Sequence, residues 1–106
     1  MGREAVRQMK HVLKAGLRPD ASPAEVTIAK ESALSLLNRS IAFGHERLAV
    51  VRLATAVRMG ADVPAACWDH CRRAAEASKD PSLQKIFVVA AQEANRPRRH
   101  VAVHGD

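Results

Sequence analysis

The segment Ser22-Pro23-Ala24-Glu25 constrains this chain more than any other, because its residue types and order suit the first turn of a helix and little else. A hydroxyl at the N-cap, proline at the first helical position and glutamate three residues after the cap make a reciprocal capping box. A helix is therefore predicted to start at residue 23. Asp80-Pro81 repeats the cap-plus-proline signal, and Asp62 before Val63-Pro64 is a looser version of it. Stops are marked too: Gly16 and Gly60 suit the left-handed residue that follows a helix, and Pro97 disfavours helical geometry at Arg96. Gly44 admits two readings. It ends one helix before another begins at residue 46, or it sits inside one long helix at a cost of about 1 kcal/mol relative to alanine.

Apolar periodicity agrees with these marks. Val6, Met9, Leu13 and Leu17 line one side of a helix that starts near residue 3, and Val26, Ala29, Ala33, Leu36 and Leu37 do so in the second. Val50, Leu53, Ala54 and Val57 form a third stripe, Cys67, Trp68, Cys71, Ala74 and Ala75 a fourth, and Leu83, Ile86, Phe87, Ala90 and Ala94 a fifth. No stretch alternates with period two for long enough to compete as a strand. The expected fold is an all-α, single-domain bundle of four to five short antiparallel helices over residues 1–96, with connections of about two to six residues. The first helix, about 3–16, is placed at the periphery, and residues 97–106 are expected to form a disordered basic tail. Many inward positions are alanine, which brings helix axes close but buries little area per residue, so the core should be thin. Helix pairs starting near residues 22 and 62 invite a tetratricopeptide reading, but their spacing of about 40 residues departs from the repeat period of about 34.

At 106 residues, 47% hydrophobic and 26% charged, the chain has the balance of one globular domain. Its longest apolar run, Ile86 to Ala91, falls far short of the roughly 18 residues a membrane span needs. Three aromatics with no tyrosine give no stacking platform for single-stranded nucleic acid, and five scattered glycines give no phosphate-cradling loop. The start of the chain lacks an apolar secretion segment and has Val6 where a myristoylation signal wants a hydroxyl. A cytoplasmic location is the expectation, in which Cys67 and Cys71 stay reduced.

The net charge of +6 is unevenly spread. Residues 1–20 carry five basic and two acidic side chains, residues 96–106 three basic and one acidic, and the middle is nearly neutral. On a helix, Arg3, Arg7, Lys10 and Lys14 fall within a sector of about 60° beside the apolar stripe. This ribbon is either a solvated flank or an attractive surface for phosphates; peripheral membrane contact through this helix is the weaker alternative. With Arg18, Arg96, Arg98 and Arg99, it makes up the candidate anion or nucleic-acid contacts.

Cys67, Trp68, Asp69, His70 and Cys71 stand in a row. The two thiols are one turn apart and fall on the apolar stripe of their helix, where free cysteine behaves as a small core residue. With His70 as a third ligand, tetrahedral zinc would still need a fourth from His45, His100 or His104, and the spacing demands none. Trp68 reads as a core anchor, His11 and His45 as solvated, and Asp69-His70 as an acid–base pair lacking a nucleophile. Ala56-x3-Gly60 matches part of a helix-turn-helix, but Ala66 and Asp69 stand where bulky apolar residues are wanted. No catalytic, cofactor-binding or metal-ligating set is expected. The functional expectation is a non-enzymatic protein–protein interaction module that takes a protein partner, a second copy of itself included. Nucleic-acid binding through the charged ends, without sequence readout, is the alternative.

Overall fold

The computed structural model describes residues 3–16, 18 and 20–95, and these form five α-helices and no strand. In chain order they are α1 (Arg3–Gly16), α2 (Pro23–Ala42), α3 (Glu46–Arg58), α4 (Ala65–Ala77) and α5 (Pro81–Asn95). Leu17 of the first apolar stripe, Arg96 and the expected tail 97–106 lie outside the described residues.

The capping box forms as its residues require. The Ser22 amide donates to Glu25 Oε1 at 2.8 Å, and the Glu25 amide donates to Ser22 Oγ at 3.1 Å. Asp80 starts α5 by accepting from the Ser82 amide at 2.9 Å, and it also pairs with Arg47 at the start of α3. Gly44 (φ +71°) and Gly60 (φ +80°) both take the left-handed conformation that side chains resist, so Gly44 separates α2 from α3.

Two local expectations are corrected. Asp62 caps nothing: Pro64 is the N-cap of α4, in extended geometry with no side-chain bond. Gly16 ends α1 without a positive φ. Its role is close approach, since a Cβ there would lie 2.2 Å from the Ala29 Cβ of α2.

Short connections fold successive helices back on one another, and residue pairs trace the path. Gly16 meets Ala29 near the start of α2, and Val6 sits across a groove from Ser40 near its end, so α1 and α2 are antiparallel. Gly60 lies beside Lys30, which makes α2 and α3 antiparallel as well. The Arg47–Asp80 pair joins the starts of α3 and α5, which therefore run parallel, with α4 as the return between them. α3 is the central element, touching α2, α4 and α5.

The main core joins Leu37, Val50, Leu53, Cys67, Cys71 and Leu83 from four helices, with Trp68 and Phe87 packed against it edge to face at 5.9 Å. A smaller cluster of Leu13, Ala33 and Ala56 docks α1. Among the described residues seven of the fifteen buried hydrophobics are alanine, so the helices approach closely but the core is thin, as the stripes imply. On α3 the buried face is Ala49, Val50, Leu53 and Ala56. Ala54 and Val57 from the expected stripe are only half-buried. Ala94 is exposed.

Candidate functional site: a cation-rimmed groove

α1, the end of α2 and the start of α3 enclose a half-open groove of about 330 Å³. Its apolar surface comes from Val6, Leu36, Phe43 and Leu48, and its polar surface from Lys10, Arg39, Ser40, His45 and Arg52. Among the described residues no carboxylate lines it. The Gly44 turn creates this arrangement: by reversing the chain, it sets Arg39 and Phe43 of the α2 end beside Leu48 and Arg52 of α3.

Phe43 is 62% exposed, although a benzyl group gains about 1.5–3 kcal/mol from full burial. The Arg39 guanidinium lies over its ring at 5.1 Å, and the His45 ring is 6.3 Å away, so the phenyl group is held by polar neighbours instead of core. Leu48 and Val51 are exposed next to it. Arg52 is half-buried; burial pushes its guanidinium pKa down, and its Nε atom is buried with no hydrogen-bond partner among the described residues. The Ser40 hydroxyl donates to the Leu36 carbonyl at 3.0 Å, which leaves it committed to backbone and not poised as a nucleophile for His45.

The candidate cations divide. Arg3, Arg7, Lys10 and Lys14 are exposed along one flank of α1, and Lys10 carries that row into the groove. Arg18 is exposed at the other end of α1, where its charge adds to the hydrogen bonds from Ser22 that hold the Glu25 carboxyl below the usual carboxylate range. Arg96, Arg98 and Arg99 lie outside the described residues. Arg39, Phe43, Leu48 and Arg52 were missed as site residues because their proximity depends on the break at Gly44, which the sequence leaves open.

The cysteine row is part of the core. Cys67 and Cys71 are free and buried, and the Cys67 thiol donates to Asn38 Oδ1 at 3.4 Å. Burial pushes both thiols up, Cys71 to about 11 with help from Cys67 beside it. Trp68 is half-buried, packed on the core and not at its centre. Asp69 pairs with Arg72 at 3.0 Å, and His70 Nε2 is buried without a partner among the described residues. His11 and His45 are exposed. On α4, the candidate reading helix of a helix-turn-helix, the exposed residues Asp69, Arg72, Arg73 and Glu76 balance in charge. Among the described residues no three His, Cys, Asp or Glu side chains converge to hold a metal, and no helix is long and apolar enough to cross a membrane. Comparison of the chain with family models, with curated proteins and with solved structures returned no match.

Proposed function

We propose that this protein is a non-enzymatic interaction module that binds a partner protein through the α1–α2–α3 groove. The observation that carries the reading is the exposed Phe43, held in an apolar depression whose charged lining among the described residues is cationic. Aromatic and arginine side chains around a desolvated centre are the composition that concentrates binding energy at protein interfaces. The commitment of Ser40 to backbone supports the non-enzymatic part of the reading. Self-association would use a different face, where Val88 and Val89 are exposed on α5. Buried free thiols suit a reducing compartment, and the cytosol is the proposed location.

One observation favours a second reading, non-specific nucleic-acid binding: the α1 row meets Arg39 and Arg52 at Lys10, which gives a continuous cationic face. A salt titration by fluorescence anisotropy with a labelled duplex of about 20 base pairs separates the two. Phosphate binding by about six to eight cations gives a log–log slope between about −5 and −7. The interaction-module reading predicts no submicromolar binding at about 150 mM salt, and submicromolar binding there would transfer the assignment to nucleic acid.

A further inference from the structure

The groove combines an apolar floor, a cationic rim and a buried donor without a partner, and together these specify the chemistry of its occupant. We infer that it receives an acidic amphipathic helix of a partner protein. The inference rests on the groove being the interaction surface proposed above and adds what binds there.

The floor of Val6, Leu36, Phe43 and Leu48 accepts apolar side chains, and an amphipathic helix supplies a row of them at spacings of three and four residues. The rim sets the sign of the other face. Lys10 and Arg52 face one half-open space, and among the described residues no carboxylate lines it; Glu46 lines the adjoining dimple with Arg47 and Val51 instead. Bringing like charges together in partly desolvated surroundings costs free energy that an incoming carboxylate relieves. Arg52 Nε, buried and unpartnered, gains an acceptor in the same step. Beyond the groove, Arg3, Arg7 and Lys14 continue the charge along α1 over about 16 Å. Their spacing of three and four residues matches that of carboxylates along one flank of a helix laid beside α1.

Other occupants fit less well. Residues 96–106 of this chain carry three arginines against one aspartate and would be repelled. A second copy brings a net charge of +6, and none of its helices carries more than two carboxylates. A nucleic-acid duplex would satisfy the cations but leave Phe43 and Leu48 facing a phosphate backbone.

The test uses the full chain, fluorescence anisotropy and four labelled probes. These are an acidic amphipathic peptide of about 18 residues built from leucine and glutamate, its glutamate-to-lysine counterpart, a scrambled version of the acidic peptide and a duplex of about 20 base pairs. The acidic amphipathic peptide should bind about tenfold or more tighter than the scrambled and lysine peptides. Lys10→Glu and Phe43→Ala should each weaken it about tenfold with the helical circular dichroism unchanged, since both side chains are exposed. Equal binding of the acidic and scrambled peptides would overturn the inference. Preference for the lysine peptide, still lost in Phe43→Ala, would overturn the acidity and leave the groove as the interaction surface. Tight binding of the duplex alone would overturn both.

Discussion

α3 separates two grooves of nearly equal size and different chemistry. Toward α1 and α2 lies the cation-rimmed groove of about 330 Å³; toward α5 lies a trough of about 340 Å³, where Arg58 and Lys85 share the lining with Glu93. Both have apolar floors, so volume and hydrophobicity do not distinguish them. The trough contains charges of both signs that can satisfy one another, whereas the charged groups that line the groove among the described residues are all cationic. A surface whose charges are matched internally needs no partner, and one whose charges are all alike favours a partner of opposite sign. The cores behind them differ in the same sense. The trough rests on the larger cluster that holds Leu53 and Cys71, while the groove rests partly on α1, docked by Leu13 and by the close contact of Gly16 with Ala29. The proposed binding face is therefore carried partly on α1, which docks through the small cluster and not through the main core.

The largest expected effect sharpens that contrast. Leu53→Ala removes a fully buried side chain from the main core and should cost about 3–4 kcal/mol, lowering the midpoint of a cooperative melt. Leu13→Ala, in the smaller cluster, should cost less, at the lower end near 2 kcal/mol. Calorimetry of the two variants compares the sides directly, and equal losses would erase the distinction. Gly16→Ala is expected next, at about 1–3 kcal/mol, because the new methyl group forces α1 away from Ala29. Hydrogen exchange should show protection lost in α1 while α3 and α4 keep theirs. Loss spread evenly over all five helices would mean that α1 is integral to the core.

Much of this fold was legible because its signals are local. The capping box at Ser22 and Glu25, the Asp80-Pro81 start and the cysteine stripe each depend on residues within one or two turns, and each appears where its chemistry puts it. Gly16 was misread because its constraint is a neighbouring helix 13 residues further on, not its own backbone angle. The cationic α1 row was visible as a helical sector. The groove was not, since Arg39 and Arg52 belong to different helices and meet only because Gly44 reverses the chain.

A smaller effect probes the entry to α2, at the opposite end of that helix from the groove. Ser22→Ala should cost about 1 kcal/mol, as lost N-caps do. Hydrogen bonds from Ser22, first among the causes, hold the Glu25 carboxyl below the ordinary glutamate value of 4.5, so the ionised form stabilises the fold. That stabilisation is complete above the ordinary value and is lost as pH falls through the lowered folded value. Urea melts between neutral pH and pH 3 should show this acid-side loss in the native chain and a shallower one in Ser22→Ala; identical profiles would remove the capping box from the account. On the opposite side, Cys71, with its thiol pushed up to about 11, should react with a soluble disulfide reagent about a hundredfold more slowly than an exposed cysteine until the protein unfolds.

The claim that the single-sign groove, and not the mixed trough, is the working surface is tested most directly by amide chemical-shift mapping with the acidic amphipathic peptide. The account predicts that the largest shifts fall on α1 from Val6 to Lys14, on the end of α2 from Leu36 to Phe43 and on the start of α3 as far as Arg52, with α4 and α5 little changed. Shifts centred on Ile86, Val89 and Glu93 of the trough, with the groove unmoved, would contradict it.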